Sequence, residues 1–307
     1  MAIRFDDKVV IVTGSGNGLG RCHAHEFARR GARVVVNDFG GARDGTGGSS
    51  DAAERVVSEI EAEGGEAMAN GANVADFTQV EAMVRGAVDK WGRVDVLVNN
   101  AGILRDKTFA KMELDDFRSV VDVHLYGSVN CTKAVWELMR EQQYGRIVMT
   151  SSSSGIYGNF GQTNYGAAKM ALVGFMNSLA LEGQKYGIRV NSLAPIAATR
   201  MTEDLMTEDV LKLLQPESVT PAVIFMASDD APTRQIIGAG AGVFAKVVIQ
   251  ETPGVFLHEG ERDAEHVAAA WKKIADTDGQ QELQAGGEQT MKFIAKAASE
   301  LGIKISG

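Results

Sequence analysis

The sequence is poor in cysteine, in proline and in long apolar runs. Its two cysteines, Cys22 and Cys131, exclude a disulfide scaffold and a cysteine-built zinc site. Five prolines against 35 glycines suit a fold with many tight turns between strands and helices. No apolar run approaches the ~20 residues that a membrane span needs, and the charged residues 1–7 do not form a secretory signal. We therefore expect a protein of the reducing cytoplasm without a membrane partner.

An excess of positive charge is also missing. The chain has 31 Lys and Arg against 40 Asp and Glu, a net charge of −9, and nucleic-acid binding needs a basic surface. We therefore expect no nucleic-acid partner. Residues 1–202 carry a net charge of only −1, which leaves room there for an anionic ligand. No metal site is expected either, because His23 and His25 would point about 200° apart on a helix.

Short apolar runs rich in β-formers alternate with amphipathic helical patterns through residues 9–193. Such alternation implies right-handed βαβ crossovers and a parallel, doubly wound sheet. Runs that are apolar on both faces fit strands covered by helices on both sides. The sequence therefore predicts an α/β fold of the Rossmann type. The predicted strands are 9–12, 33–38, 66–74, 94–99, 146–150 and 189–193, and the predicted helices are 19–30, 51–63, 77–91, 113–141 and 164–186.

A glycine-rich turn over residues 13–20, Thr-Gly-Ser-Gly-Asn-Gly-Leu-Gly, separates the first predicted strand from the first predicted helix. Its glycines allow the backbone to turn tightly and to approach a pyrophosphate. The helix N-terminus that follows offers unpaired N–H groups and the positive end of the helix dipole. A plain strand-to-helix turn would look similar, but the position after the first strand favours a dinucleotide site.

Asp38 ends the second predicted strand, 18 residues after Gly20. This is close to the ~20 residues expected for the acid that hydrogen-bonds a ribose 2′-hydroxyl. The same carboxylate would repel a 2′-phosphate, so Asp38 favours NAD over NADP. The alternative is a loop-capping aspartate, and Arg43 in the following glycine-rich loop is the residue that would undercut a preference for NAD.

Tyr165 and Lys169 lie four residues apart on one predicted helix, which stacks them on one face about 6 Å apart along the axis. A tyrosine is a poor base at its ordinary pKa near 10, but a neighbouring ammonium favours the phenolate. Ser152 lies thirteen residues before Tyr165, where its hydroxyl can hold a substrate oxygen. The three side chains together predict a proton-transfer site that faces a hydride acceptor, although a Tyr-x-x-x-Lys pair alone is commonplace.

These motifs, with Asn99-Asn100-Ala101-Gly102 after the fourth strand, resemble the short-chain dehydrogenase/reductase family over about residues 6–202. The resemblance implies an NAD-dependent enzyme. Tyr165 would be its acid/base, Ser152 the hydrogen-bond donor to the substrate oxygen, and Lys169 both the partner of the tyrosine and a ribose ligand. The implied cofactor-binding residues are Gly14, Ser15, Asn17, Gly18, Leu19, Asp38, Asn73, Val74, Asn100, Ala101, Gly102, Tyr165, Lys169, Pro195 and Thr199.

Two positions depart from the family pattern. His124 stands where members usually have an Asn that holds a proton-relay water. It is either a helix-packing histidine or a replacement relay group, and the second role would make activity pH-dependent through an ordinary imidazole. Pro195 is followed by Ile196 where Pro-Gly is usual, and Thr199 comes one residue early for the usual phosphate or carboxamide contact.

Within the family, the chain is similar to the dehydrogenase units of peroxisomal multifunctional enzymes, through residues 36–38, 99–105, 144–150, 155–161 and 200–202. This likeness implies oxidation of a (3R)-3-hydroxyacyl-CoA to the 3-oxoacyl-CoA with NAD. The last residues do not read Ser-Lys-Leu, so we expect a free-standing, bacterial-type form. The residues expected to line an acyl pocket, or else to belong to the core, are Ile103, Leu104, Ile156, Tyr157, Phe160, Met201, Leu205 and Met206.

Other functions stay open on the sequence. One is a 17-beta-hydroxysteroid or sterol side-chain dehydrogenase, and another is an NADPH-linked 3-oxoacyl-carrier protein reductase, against which Asp38 argues. A non-catalytic NAD-sensing protein is the remaining class, and the intact Ser152, Tyr165 and Lys169 argue against it. The cations Arg105, Lys107 and Lys111 would either meet CoA phosphates or form a solvated charged loop.

Beyond residue 201 the strand-helix alternation weakens, and no Pro/Gly linker separates this part from the core. We predict one NAD-binding domain over 1–257 and a C-terminal helical extension over 258–307 that is not an independent domain. The family resemblance also implies a homodimer or larger homo-oligomer, with helices 113–141 and 164–186 pairing across a two-fold axis. In this last part the predicted helices are 202–214, 217–227, 264–275 and 288–301, with two or three strands in 236–257.

Overall fold

An eight-stranded sheet forms the centre of the fold. The computed structural model describes residues 2–42, 44–197 and 207–305. It divides the chain into two compact units, Met1–Lys246 and Val247–Gly307. The strands are β1 Val9–Thr13, β2 Arg33–Asn37, β3 Glu66–Asn70, β4 Val96–Asn99, β5 Gly145–Thr150, β6 Ile188–Pro195, β7 Ile236–Gly240 and β8 Val243–Val247.

Helices follow most of these strands. In the first unit they are α1 Gly18–Arg29, α2 Asp51–Ala62, α3 Phe77–Trp91, α4 Leu114–Val121, α5 Gly127–Gln142, α6 Ser153–Tyr157, α7 Thr163–Gly183, α8 Glu208–Leu213 and α9 Thr220–Ala227. A π-helical turn, Asp122–Tyr126, joins α4 to α5. Single 3₁₀ turns lie at Phe109–Lys111, Gln184–Tyr186, Pro216–Ser218 and Glu259–Glu261.

The strand order is β3-β2-β1-β4-β5-β6-β7-β8, and the six pairings from β3 to β7 are parallel. The connections run one way from β1 to β3 and the other way from β4 onward, so the sheet has its switch point between β1 and β4. Open α/β sheets bind their ligands in the crevice beyond the carboxyl ends of the strands at such a switch point. The predicted Rossmann-type, doubly wound sheet is confirmed.

Burial explains why these runs are strands in the middle of a sheet. Val9, Val10, Ile11 and Val12 are fully buried, since helices cover both faces of β1. On one face the strands pack against apolar residues of α1, α2 and α9. On the other face α5 and α7 pack against β4, β5 and β6, and α3 packs on α5. β-branched side chains dominate the strands because they suit a pleated surface that is packed on both sides.

The structure differs from the sequence prediction at several boundaries. Predicted strand 66–74 ends at Asn70, because its side-chain Oδ1 accepts a hydrogen bond from the Ala72 N–H (2.9 Å) and turns the chain. Predicted helix 113–141 is interrupted by the π-helical turn. Of predicted helix 202–214 the structure describes Glu208–Leu213 as helical. β7 and β8 are joined through Ala241 and Gly242, whose φ angles of +51° and +75° are typical of a type I′ hairpin turn.

The second unit contains α10, Ala264–Ile274, and α11, Gly286–Leu301. The Asp263 side chain caps α10 by accepting from the His266 N–H (2.8 Å). Lys292 Nζ on α11 donates to Glu251 Oε1 (2.7 Å), next to a short antiparallel bridge between Glu251 and Gln281. Both helices begin and end within two residues of the prediction. That the extension covers 258–307 and is not an independent domain stays a prediction. None of the helices in the described ranges is long and apolar enough to cross a membrane.

Candidate active site

The glycine-rich turn joins β1 to α1 and is fastened to the segment after β4. Asn100 Nδ2 donates to the carbonyl oxygens of Thr13 and Gly14 (2.9 Å each), and Thr13 Oγ1 accepts from the N–H groups of Asn100 and Ala101 (3.0 Å each). Gly14 has a φ of +62°, and a Cβ placed on it would lie 2.7 Å from Ala101 Cα. The two segments therefore lie too close for any side chain at Gly14.

The first turn of α1 is open to an anion. Its N-cap, Asn17, makes no side-chain hydrogen bond to the helix backbone, and no acidic residue stands in that turn. The unpaired N–H groups and the helix dipole there favour a phosphate. Ser15 is fully buried, and its hydroxyl donates to the carbonyl of Val12 (2.7 Å). A contact of this hydroxyl with the cofactor stays a prediction.

Asp38 follows β2 at the same edge of the sheet. Its Oδ2 accepts from the Gly16 N–H and its Oδ1 from the Gly40 N–H, both at 2.7 Å. The carboxylate is therefore fixed beside the glycine-rich turn, where it can meet a ribose hydroxyl. Asn73 and Val74 follow β3 at the same edge. Asn73 Oδ1 accepts from the Ala75 N–H (3.0 Å), and the Val74 carbonyl accepts from Asn130 Nδ2 (2.9 Å).

Arg55 on α2 completes this side of the crevice and was not predicted as a site residue. Its Nη2 donates to the carbonyl oxygen of Gly16 (3.2 Å) and to Asn17 Oδ1 (3.1 Å). The residue lies far from the glycine-rich turn in sequence, and its spacing within α2 contains no motif. Only the packing of α2 beside the turn brings the guanidinium there.

Ser152, Tyr165 and Lys169 meet at the carboxyl end of β5. Ser152 caps α6, where its hydroxyl accepts from the Ser154 N–H (3.1 Å). Lys169 Nζ lies 5.5 Å from the centre of the Tyr165 ring and donates to the carbonyl oxygen of Thr150 (2.6 Å). The i, i+4 spacing on α7 thus places the ammonium beside the phenol, and the end of β5 supplies the Thr150 carbonyl that holds the lysine, with Ser152 two residues further on.

Burial dominates the electrostatics of this group. It raises the pKa of the Tyr165 phenol, and a hydrogen bond with Ser152 acts in the opposite direction. It lowers the pKa of Lys169 to about 7, because the side chain is enclosed and its charged form is poorly solvated. A negative charge that develops near Lys169, such as a phenolate, favours its charged form and raises that pKa.

His124 lies in the π-helical turn and contacts the same group. Its ring packs edge-to-face on the Tyr165 ring with centroids 5.2 Å apart. Its Nε2 lies 2.8 Å from the carbonyl oxygen and 3.1 Å from the amide nitrogen of Ile103, so it bonds one or the other according to its tautomer. Its Nδ1 is buried and has no hydrogen-bond partner among the residues that the structure describes.

The expectation of an ordinary imidazole at His124 is wrong. Burial, helped by the charge of Lys169, lowers its pKa well below 6.5, so the ring is neutral at physiological pH. The ring also explains Gly102: a Cβ at that position would collide with the imidazole, whose Nδ1 would be 3.0 Å away. His124 therefore holds the segment after β4 and the tyrosine ring, whether or not it also moves a proton.

A side-chain network that the sequence did not suggest lies next to Tyr165. Gln162 Nε2 donates to Asp106 Oδ2 (2.6 Å), and its Oε1 accepts from Ser154 Oγ (2.8 Å) and Asn159 Nδ2 (3.0 Å). The Gln162 side chain thus links the segment after β4 to the start of α7. Gln162 precedes Tyr165 by three residues, which is the only sequence signal for it.

The remaining predicted site residues belong to the end of β6, to the segment after it and to the expected acyl pocket. Pro195 ends β6, and the Ile196 N–H after it donates to the Ala239 carbonyl (2.8 Å). Thr199 and Arg43 lie outside the described residues, as do Met201, Leu205 and Met206 of the predicted acyl pocket. Of the pocket residues that are described, Ile103 is buried, whereas Tyr157 and Phe160 are 73% and 89% exposed.

A family model described as short chain dehydrogenase matches residues 8–209. The chain belongs to the short-chain dehydrogenase family. It is similar to peroxisomal multifunctional enzyme A of Dictyostelium discoideum, with 45% identity over 301 residues that cover 98% of this chain and 67% of the relative. It is also similar to the peroxisomal hydratase-dehydrogenase-epimerase of Saccharomyces cerevisiae, with 45% identity over 277 residues, 89% of this chain and 31% of the relative.

Solved structures agree with this family. Full-length peroxisomal multifunctional enzyme type 2 from Drosophila melanogaster matches with a TM-score of 0.80 and 36% identity, covering 95% of this chain and 50% of that one. A 7α-hydroxysteroid dehydrogenase complexed with NADH and 7-oxo glycochenodeoxycholic acid matches with a TM-score of 0.70 and 31% identity, covering 78% and 95%. The chain is therefore an oxidoreductase that acts on hydroxyl groups, with NAD(H) as cofactor.

The residues present fit this cofactor. A Cβ at Gly20 would collide with the Gly14 carbonyl and with Asn100 Nδ2, so the turn keeps its backbone open for a pyrophosphate. Asp38 stands fixed where a ribose diol is recognised, and Lys169 lies at the far side of the same crevice. Residues of the glycine-rich turn and Asp38 would hold the adenosine and phosphates, with Tyr165 and Lys169 beside the reacting end.

Proposed function

We propose that this chain oxidises a (3R)-3-hydroxyacyl-CoA to the 3-oxoacyl-CoA. The observation that carries the proposal is the group formed by Ser152, Tyr165 and Lys169 at the edge of the sheet that also presents Asp38. The similarity to a hydratase-dehydrogenase extends over 89% of the chain and supports the substrate class. Addition of water to an enoyl thioester produces a 3-hydroxyl, and a dehydrogenase then oxidises it. The chain spans only about a third to two thirds of the multifunctional relatives, so this substrate is a proposal.

In this mechanism the chain's own residues handle the proton. Ser152 donates a hydrogen bond to the substrate 3-oxygen, and the Tyr165 phenolate accepts the hydroxyl proton as the C–H bond breaks. Bound NAD supplies the hydride acceptor. The Lys169 ammonium stabilises the phenolate before the transfer, which offsets the effect of burial on the pKa of Tyr165. In the reverse direction Tyr165 returns the proton to the 3-oxo group.

The role of His124 follows from its neutral state. A buried, neutral imidazole cannot act as a charged acid near pH 7, but its Nδ1, which has no hydrogen-bond partner among the described residues, can bind a water in the relay from Tyr165 and Lys169 to solvent. We therefore assign His124 to the site as a relay or positioning group. The activity should then lack a titration that belongs to an ordinary histidine.

Exposed aromatic side chains beside α6 support an apolar substrate tail. Tyr157 is the last residue of the helix that Ser152 caps and Phe160 follows three residues later, and both are largely exposed. The charged residues nearby fit CoA phosphates less well. Arg105 and Lys107 share one partner, Asp116, at 3.2 and 2.8 Å, so half of their combined charge is already compensated.

The test is a series of (3R)- and (3S)-hydroxyacyl-CoA esters of increasing chain length, assayed with NAD for kcat/KM. We expect activity with the 3R series and little with the 3S series. The 31% identity to a hydroxysteroid dehydrogenase favours one second candidate, a steroid alcohol, so the panel includes hydroxysteroids. A kcat/KM that is higher with a steroid than with every acyl-CoA ester would replace the proposal.

We also propose a cytoplasmic homodimer or larger homo-oligomer. Free Cys22 and Cys131 suit a reducing compartment, although several relatives are named as peroxisomal enzymes. Leu181 and Met170 on α7 and Tyr126 before α5 are exposed apolar side chains that a partner would cover. Trp136 on α5 is only 9% exposed within the chain, so it offers little surface for a partner to cover. Light scattering at micromolar concentration tests the assembly, and a monomer mass there would contradict it.

A further inference from the structure

Arg55 holds an unusual position at the adenosine side of the crevice. It lies on α2, one turn after the helix begins, and its guanidinium reaches the glycine-rich turn at Gly16 and Asn17. The residue is exposed to solvent. Within the described part of the chain, no Asp or Glu forms an ion pair with it, whereas Arg21 nearby pairs with Glu59 at 2.8 Å. Arg55 therefore places a positive charge beside the glycine-rich turn and forms no ion pair with a described residue.

Asp38 reaches the same glycine from the other side. Its Oδ2 accepts from the Gly16 N–H, and Arg55 Nη2 donates to the Gly16 carbonyl oxygen. Gly16 is thus hydrogen-bonded to a carboxylate through its N–H group and to a guanidinium through its carbonyl oxygen. A guanidinium has five N–H donors, and the two recorded hydrogen bonds of Arg55 use one nitrogen only. Donors remain for an anion that arrives at this edge.

We propose that Arg55 is a specificity-determining residue for the cofactor, a latent partner for the 2′-phosphate of NADP that the Asp38 carboxylate keeps out of reach. With Asp38 present, the carboxylate accepts from a 2′-hydroxyl and repels a phosphate there. Without it, the fixed cation at Gly16 and Asn17 lies close enough to attract that phosphate, and guanidinium-phosphate bonds are strong and bidentate. The inference rests on the NAD assignment and not on the acyl-CoA substrate.

The experiment measures binding of NADPH and NADH to the full chain by calorimetry, so it does not depend on any substrate. The variants are Asp38→Asn, Arg55→Ala and the double variant. Arg85→Ala, an exposed arginine on α3, is the matched control in the same Asp38→Asn background. We expect Asp38→Asn to tighten NADPH binding by about 10- to 100-fold relative to NADH, and Arg55→Ala to remove most of that gain. Arg85→Ala should leave the gain intact.

Two results would overturn the proposal. One is a double variant that binds NADPH as tightly as Asp38→Asn alone. The other is loss of the gain on Arg43→Ala but not on Arg55→Ala, which would assign the phosphate site to the glycine-rich loop. If Asp38→Asn does not fold, Asp38→Ala takes its place, alone and combined with Arg55→Ala. A gain in NADPH binding by Asp38→Ala that Arg55→Ala leaves intact would then refute the role.

Discussion

The proposed cofactor site has two halves: a catalytic half around Ser152, Tyr165, Lys169 and His124, and an adenosine half around the glycine-rich turn, Asp38 and Arg55. The catalytic half is buried: Ser152, Lys169 and His124 are 7%, 3% and 3% exposed. The adenosine half is more open and is held by hydrogen bonds between charged side chains and one glycine. Burial shifts pKa values in the first half, whereas in the second half charge selects between ligands. Substitutions should therefore change turnover in one half and cofactor choice in the other.

The largest effect should come from Tyr165→Phe, which removes the proton acceptor and leaves the ring in place. We expect kcat to fall by at least about 10²–10⁴-fold while the NAD dissociation constant changes little. Steady-state kinetics and calorimetry measure the two quantities. Tyr186→Phe, the same change at a tyrosine beyond the C-terminal end of α7 whose hydroxyl accepts from Arg140, is the control. A Tyr165→Phe enzyme with near-normal kcat would show that the two halves are not separated in this way.

Asp38→Ala tests the other half. Loss of the ribose hydrogen bond and of the repulsion toward a 2′-phosphate should narrow the NAD over NADP preference by about 10- to 100-fold. The ratio of kcat/KM for the two cofactors is the measurement, and kcat with saturating cofactor should stay close to its original value. A preference for NADP in the unsubstituted chain would contradict the role of the carboxylate.

Gly102→Ala tests the contact that links the two halves, because Gly102 follows β4 and faces the His124 ring. The new methyl group would collide with the imidazole, and we expect the free energy of unfolding to fall by about 1–3 kcal/mol. Gly86→Ala on α3, where the nearest atom would be 3.6 Å from the new Cβ, should be neutral or stabilising. Chemical denaturation of both variants provides the comparison, and equal stabilities would remove the argument for a tight fit at His124.

Mild acid should weaken the fold through buried imidazoles. Burial lowers the pKa of His23, on α1, to about 3, so between that value and 6.5 the unfolded chain binds a proton that the folded chain does not. Stability should then fall as pH drops below 6.5, by about 1.4 kcal/mol per pH unit for this group. His23→Asn, which keeps a donor or acceptor for Thr220, should reduce the slope. An unchanged slope in His23→Asn would contradict this role of the buried imidazole.

Of all these changes, truncation after Leu257 should have the smallest effect on the two halves of the cofactor site. We expect the shortened chain to keep a folded core that binds NAD with an affinity within about twofold, since no residue assigned to either half lies beyond that point. Oligomer stability and activity on long acyl chains should decline, because α10 and α11 carry exposed apolar residues such as Trp271 and Phe293 that need a cover. Unchanged oligomer stability and unchanged kinetics with long substrates would make the extension dispensable.

The sequence predicted most of the fold because the information was local. Runs such as Val9–Val12 are apolar on both faces, and the glycine-rich turn marks the first strand-to-helix connection. The order of motifs then identified the family and the group of Ser152, Tyr165 and Lys169. Tyr165 and Lys169 were predictable as neighbours because helical periodicity alone places them on one face.

Prediction was weaker where a backbone bond or a distant side chain intervenes. The end of β3 at Asn70 depends on a side-chain hydrogen bond to Ala72, and the π-helical turn interrupts a stretch whose periodicity is that of one helix. The environment of His124 depends on the enclosure of its ring by Tyr165, Gly102 and Ile103, so its depressed pKa has no counterpart in the sequence.

By itself, the sequence determined that strands alternate with helices. It also determined the positions of the glycine-rich turn, of the acid that follows β2 and of the tyrosine-lysine pair. All of these follow from spacing within one or two elements of secondary structure. Only the tertiary structure decided that Arg55 faces Gly16, that Gln162 links Asp106 to Ser154, and that burial lowers the pKa values of Lys169 and His124. Such contacts join residues on different elements, and the free energy of a charge depends on everything that surrounds it and not on its neighbours along the chain.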